Sequence, residues 1–359
     1  MESEKTISVA EFISVCINIA EKSGNIIREV YRSKDIGMQE KDFGQGPVTI
    51  ADLRVQRNIE YNLKQIFPGL EIQGEEDPAT YAMYEPTIKP DEVPRDLVSQ
   101  EFLNKHHDKR RDFIETLRTT YPEVTPAGAY FERFNVKDAV VWIDPLDGTS
   151  DFVKGNLPAV TVLIGLSING SSRIGVVHSP FSEADTSKGQ TLFGTIEQGL
   201  FKTDYDESST DIAAYRGRTL SYLEPFNHLA VAADDHKFVV AASLSHFSAQ
   251  MKEIIEIIHP VEIKRIGGAG NKCANVALGR VDTYMHPSPG LKFWDLCASE
   301  ILVKAMGGIA TNLKEERLTY NLGANVNLAG LILSRSPSHH SLIVRRLGTI
   351  LTALKAHFP

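Results

Sequence analysis

Apolar residues recur every three or four positions through the first part of the chain, and that spacing predicts helices. Val9, Phe12, Ile13, Val15, Cys16, Ile19, Ala20, Ile26 and Ile27 define one over 7–32. A second covers 51–67, opened near Thr49 and closed by Pro68-Gly69. "LEIQGEED" then reads as a short strand that ends in acids. After residue 138 the period shortens. "AVVWI" is a strand, and "VTVLIGLSI" and "RIGVVHSP" flank Asn169-Gly170, a hairpin-turn signature. More strands are expected within 191–202 and 238–242. The last third alternates: "RIGGAG" leads into a helix at 271–279, "VDTYMH" is a strand, "FWDLCASEILVKAMGG" a helix with a glycine stop, "LAGLILS" a strand, and 338–356 a final helix. Adjacent antiparallel strands exclude a purely parallel, doubly wound sheet.

Residues 78–138 break this rhythm. They are rich in charge and proline, carry "KHHDKRRD", and predict helix only around 97–120. They read as an insertion outside the core, with the basic cluster a solvated helix face. The expected halves are 1–202 and 203–359. A chain of 359 residues, 42% hydrophobic and 23% charged, suits one large or two ordinary globular domains. The net charge of −8 argues against nucleic acid as a partner. It leaves a small anionic substrate open, because a metal or a local basic patch reverses the field. Cys16, Cys273 and Cys297 form no CxxC pair and no disulfide framework, which points to reduced thiols in the cytoplasm. The acidic, then amphipathic N-terminus is unlike a signal peptide, and no apolar run reaches ~18 residues, so no membrane contact is expected.

The chemistry concentrates where the apolar run Val140–Ile143 stops, at "DPLDGT". Pro145 fixes φ and turns the chain, bringing Asp147 round to the side of Asp144. Gly148 allows close backbone approach and Thr149 offers a hydroxyl at a helix start. Two carboxylates ~4 Å apart repel by about 4 kcal/mol at an effective dielectric near 20. A cation or a shared proton must therefore hold them together, and oxygen ligands, including the Leu146 carbonyl, suit Mg2+. Alone, the motif also reads as a turn closed by Asx hydrogen bonds. Glu75 and Glu76 stand at a strand end, which a surface loop would also explain. Asp52 and Asp295 stand at helix starts, where caps are ordinary. Four acid sites, each at the end of an element, fit a multi-metal centre better than four unrelated caps.

With Asp52 upstream, "GEE" at 74–76, "DPLDGT" at 144–149 and "WD" at 294–295 resemble the lithium-sensitive, magnesium-dependent phosphatases that include inositol monophosphatase. Within them, "VTVLIG", "IGGAGNK" and "SPGLKFWDLCA" look like the bisphosphate nucleotidase branch, over 40–77 and 138–335. The resemblance implies an α+β fold, a layered αβαβα sandwich with an antiparallel sheet in the first half and a smaller mixed α/β unit in the second. It implies two or three Mg2+ ions held by Glu75, Asp144, Asp147, Asp295 and the Leu146 carbonyl, and inhibition by Li+ or Ca2+. Asp52 serves a further metal, and Thr149, with Asp52 or Glu76, orients and deprotonates the attacking water.

The same likeness suggests the substrate: adenosine 3′,5′-bisphosphate, cut at its 3′-phosphate, with 3′-phosphoadenosine 5′-phosphosulfate a further candidate. Glycines before a helix offer backbone N–H groups to an anion, and Lys272 adds charge. Gly268, Lys272 and His246 would take the second phosphate, with Ser243 nearby and His286 as a further contact. A glycine-rich turn with a solvated lysine is the plain alternative. Close relatives carry arginine two residues before that histidine; here it is Leu244. Trp294 reads as packing for the acid-bearing helix. Two rivals remain on the sequence: an inositol polyphosphate 1-phosphatase, which shares the metal centre, and a non-catalytic sensor of nucleotide or metal.

Overall fold

The computed structural model describes residues 5–41, 46–120, 130–208, 218–226, 237–245, 247–323, 328 and 330–355. The helical periods give α1 (Val9–Ser33) and α2 (Ile50–Ile66). The alternating and wholly apolar runs give a seven-stranded sheet: β1 (Glu71–Gly74), β2 (Ala139–Asp147), β3 (Thr161–Ile168), β4 (Ser171–Ser179), β5 (Lys188–Thr195), β6 (Gly199–Asp206) and β7 (Ser221–Leu223). Its order is β7-β6-β5-β4-β3-β2-β1, antiparallel throughout except that β1 runs parallel to β2. The single strand region expected at 191–202 is a hairpin, because the chain reverses between Thr195 and Gly199 and pairs them. The sheet continues to Leu223, past the expected division at 202.

A second sheet holds β8 (Val239–Ser243), β9 (Glu262–Ile266), β10 (Thr283–His286), β11 (Ile309–Thr311) and β12 (Leu331–Ser334), in the order β9-β8-β10-β12-β11. The pairs around β8 are parallel and those around β12 antiparallel. Three apolar cores separate five layers. One joins α1 and α2 to the first sheet, and one fills the space between the sheets around α6 (Ala269–Ala277) and α7 (Phe293–Ala305). The third lies under α5 (Ala249–Ile258) and α8 (Pro337–Lys355) on the outer face of the second sheet. This is the αβαβα sandwich expected from the resemblance.

Close packing brings α7 to the site. Gly165 and Gly175 are paired across β3 and β4, and a Cβ on either would lie 2.5 Å from the Ala298 nitrogen or 2.1 Å from its carbonyl oxygen. Only a strand pair without side chains lets the α7 backbone rest on the sheet, which lowers its first turn to the end of β2. The insertion is not wholly peripheral. Its helix α3 (Gln100–Thr120) turns Leu103, His106, Arg110, Ile114 and Leu117 inward. Of "KHHDKRRD", His106 sits between the Phe102 and Phe201 rings, at 4.4 and 4.9 Å, and Arg110 donates to the Tyr222 hydroxyl and the Ile196 carbonyl. The solvated-face reading therefore fails for those two residues, which stand on the helix's inward four-residue line. Among the described residues no helix is long and apolar enough to cross a membrane.

Candidate active site

β2 does not stop at Ile143. It runs on to Asp147 through a bulge: Asp144 lies opposite Leu163 and Asp147 opposite Thr161, three steps against two. The extra residue turns both acids to the same end of the sheet, and the Leu146 amide donates to Asp144 Oδ1 at 3.1 Å. Asp144 and Asp147 are buried. Thr149 then opens the short helix α4 (Thr149–Val153). Its Oγ1 lies 3.0 Å from Asp52 Oδ1 and 3.0 Å from the Leu146 carbonyl, two acceptors for its one proton. Asp52 also caps α2, its Oδ2 accepting from the Thr49 amide at 2.8 Å and the Thr49 hydroxyl at 2.6 Å. Cap and site residue are one side chain, using different oxygens.

The remaining acids come from three more directions. The Glu75 amide donates to the Ile143 carbonyl, fixing the end of β1 beside β2. Asp295 lies in the first turn of α7 and accepts from the Lys292 amide at 2.7 Å. Glu76 does not join Thr149; Lys41 Nζ holds it at 2.6 Å and Glu75 at 2.6 Å. Lys41 escaped the sequence reading because no motif surrounds it and its contacts are wholly tertiary.

Burial, then repulsion from Glu75 and Asp147, raises Asp295 to about 8. Burial, then Glu75, Asp147 and Asp295, pushes Asp144 well above the carboxylate range. Asp147 is raised by burial, opposed by Lys272 and by the amides and hydroxyl it accepts from. Burial brings Asp52 to about 6, against its Thr49 bond, and Glu76 to about 7 with Glu75 adding to the rise. Among the described residues no three acids, histidines or cysteines are closed into metal-ligating geometry. Asp144 and Asp295 lie close enough to shift each other, and Lys41 bridges the two glutamates. The donors are oxygens alone, buried and mutually repelling, and Lys41 and Lys272 offset them only in part, a set that fits a hard divalent cation.

The glycine loop already meets an anion within the protein. The Ala269 and Gly270 amides, at the start of α6, donate to Asp147 Oδ1 and Oδ2 at 2.8 Å each, so these two amides serve a carboxylate of the chain itself. The glycines allow close approach: a Cβ on Gly267 would lie 2.3 Å from Asp151, and one on Gly268 2.3 Å from the Ala159 carbonyl oxygen and 2.8 Å from Asp147. Lys272 is not solvated. It is buried over the Tyr284 ring, donates to the Gly268 carbonyl at 2.6 Å, and supports the charge of Asp147.

Ser243 and His286 end the neighbouring parallel strands β8 and β10, and Ile266 ends β9, so three carboxyl ends share one edge. Ligands lie along such edges in open sheets. A Cβ on Gly148 would lie 3.5 Å from the Gly268 Cα, so the acid loop borders that edge. His246 lies outside the described residues. Leu244 is exposed, and its carbonyl and that of Ser243 accept from Arg265 at 2.8 Å each. Trp294 packs partly buried against the inter-sheet core. A cavity of about 360 Å³ lies elsewhere, between Val136–Val140, Asn169–Gly170 and Tyr320–Leu322. It contains none of the clustered acids, so chemistry rather than room locates the site.

The fold is that of the inositol monophosphatases, and the chain belongs to the inositol monophosphatase family, whose sequence pattern matches residues 8–351. Within curated proteins it is similar to 3′(2′),5′-bisphosphate nucleotidase 1 of mouse, 28% identical over 337 residues, 92% of each chain. The human protein of that name is 29% identical over 337 residues, again 92% of each. A solved structure, the Staphylococcal IMPase-II, superposes with a TM-score of 0.61 at 16% identity, covering 96% of this chain and 97% of that one, a likeness of fold.

Proposed function

We propose that the protein is a Mg2+-dependent phosphatase that hydrolyses the 3′-phosphate of adenosine 3′,5′-bisphosphate to give AMP and phosphate, and accepts 3′-phosphoadenosine 5′-phosphosulfate in the same way. The observation that carries this reading is the Thr149 hydroxyl, held between Asp52 and the Leu146 carbonyl at the bulge that presents Asp144 and Asp147. The names of the similar mouse and human proteins support the choice of nucleotide.

Glu75, Asp144, Asp147, Asp295 and the Leu146 carbonyl would hold two or three Mg2+ ions, with Asp52 beside a further one. Bound there, the ions supply Lewis acidity: they acidify water and neutralise phosphate oxygens. The protein's own groups manage position and protons. Thr149 Oγ1 accepts a hydrogen bond from the attacking water while its own proton points to Asp52 Oδ1. Asp52 is the base in this reading: it receives the water's proton, relayed through Thr149 Oγ1. Water adds to phosphorus in line, the bond to the 3′-oxygen breaks, and that oxygen leaves with the electron pair and takes a proton from solvent. Gly148 lets the backbone approach the reacting phosphate. Ser243 and His286, with His246 from the sequence reading, would take the second phosphate, and Lys272 lends its charge from beneath the loop. In this reading Li+ or Ca2+ inhibits by displacing Mg2+, and three buried free thiols suit the cytoplasm.

Phosphate release from adenosine 3′,5′-bisphosphate and from inositol 1,4-bisphosphate, with and without Mg2+, tests the reading. Release from the nucleotide that requires Mg2+ is expected. Release from the inositol compound alone makes the protein an inositol polyphosphate 1-phosphatase. Nucleotide binding with no release makes it a sensor.

A further inference from the structure

We propose that Gln56 is a positioning residue for the acid pair Glu75–Glu76, clamping the end of β1 to α2; the inference rests on the metal-dependent reading above. Asp52, Gln56, Glu60 and Lys64 follow one another at four-residue intervals, so they form one polar line along α2. The first three are buried, an unusual place for three polar side chains in succession. Two have evident partners. Asp52 meets Thr149, and Glu60 accepts from the Tyr81 hydroxyl and from Lys64, at 2.6 Å each.

Gln56 stands between them. Its Nε2 lies 3.3 Å from Glu60 Oε1, and its amide fills the space a side chain at Gly74 would occupy. A Cβ on Gly74 would lie 1.7 Å from Nε2 and 2.4 Å from Cδ. Gly74 is the last residue of β1, opposite Ile143. β1 is the edge of its sheet, paired only with β2, so nothing in the ladder holds its other side. The next two residues are the acids. Beyond them, Tyr81 returns the chain to α2 through Glu60. Glu75 and Glu76 thus hang between two anchors on one helix, the same helix that presents Asp52. Simple core packing at position 56 would be met by an aliphatic side chain. Gln56 Oε1 is instead buried with no hydrogen-bond partner, which is unfavourable for packing alone. What the amide does instead is close on Gly74, filling the space that a side chain there would take.

Three variants test this by Mg2+ calorimetry on the substrate-free protein, with kcat measured in parallel. Gly74→Ala drives a methyl into the amide and is expected to weaken Mg2+ binding about tenfold or more. Adding Gln56→Ala gives that methyl the vacated space and is expected to restore binding to within about threefold of wild type. Gln56→Ala alone, which loosens the clamp without a clash, is expected to weaken Mg2+ binding about tenfold with the far-ultraviolet spectrum unchanged; it decides the matter if Gly74→Ala does not fold. Gln56→Ala with wild-type Mg2+ binding, or a double variant no better than a folded Gly74→Ala, overturns the role of Gln56 and leaves the proposed function standing. Wild-type protein that binds no divalent cation overturns both.

Discussion

The candidate site groups from Asp144 to Thr149 are tied to partners from several elements, whereas Ser243 and Leu244, held by Arg265 of the next strand, stand half-buried and exposed at the end of an outlying strand pair. The acid loop draws on α2, β1, α6 and α7 at once: Thr149 on Asp52, Asp147 on two amides of α6, Asp144 beside Asp295. At the other edge β9 has one neighbour, and its residues are mostly exposed or half-exposed. The difference reflects cost. Burying charge is unfavourable unless every oxygen is placed, so the acid centre is over-determined. An exposed edge of the kind proposed to take the second phosphate needs little internal support, and its geometry leaves few traces in packing.

The sharpest way to break this contrast is Asp144→Asn. Loss of all phosphate release is expected, with the metal-free protein melting no lower than wild type. Melting and activity that fall together would make that carboxylate structural. Next in size, Thr149→Ala should lower kcat by about 10²–10⁴-fold, the usual weight of a placed proton-transfer group, with Mg2+ calorimetry unchanged. Lys272→Met separates two roles. Acting through Asp147, it should reduce turnover of adenosine 3′,5′-bisphosphate and of 2′-AMP alike, by about 10–100-fold. A loss confined to KM for the bisphosphate would make Lys272 a phosphate ligand and erase the distinction between the regions.

That case also marks how far the sequence could be read. Residue types at strand and helix ends gave Asp52, Glu75, Asp144, Asp147, Thr149 and Asp295, because few structures need so many acids at element ends. The bulge was not legible: it exists only in the pairing of Asp144 and Asp147 with Leu163 and Thr161. Nor was the anion on α6, since glycines before a helix accommodate a ligand or a carboxylate equally, and Asp147 comes from 122 residues upstream of Ala269. Lys41 was hidden for the same reason. His106 and Arg110 were not hidden; they stand on the line of Leu103, Ile114 and Leu117, and a period counted on apolar residues alone passes over them.

Acid–base linkage gives a smaller, graded effect. Asp295 at about 8, Glu76 at about 7 and Asp52 at about 6 all lie above their ordinary values of 3.8, 4.5 and 3.8. The folded protein therefore holds these protons more tightly than the unfolded chain. The stability they contribute is complete below about pH 4 and is lost as pH rises through the folded values. Metal-free protein should melt progressively lower from about pH 5 to pH 8.5, and Mg2+ should raise the melting temperature more at the upper end than at the lower. An increment from Mg2+ that is flat with pH would separate the raised carboxylates from the cation site.

The smallest effect belongs to the weakly built edge. Leu244→Arg adds the side chain expected there from the resemblance, yet a guanidinium is already there: Arg265 donates to the Ser243 and Leu244 carbonyls from the next strand. A second arginine at an exposed position adds one solvent-screened contact, of about 0.2–1 kcal/mol, and is repelled by the first. KM for adenosine 3′,5′-bisphosphate should fall by no more than about fivefold, with kcat unchanged and 2′-AMP unaffected. A fall of about a hundredfold, some 2.7 kcal/mol, would require a desolvated charge pair at that position. The edge would then be as tightly organised on substrate as the acid loop is without it, and the contrast between the two regions would be one of occupancy rather than of construction.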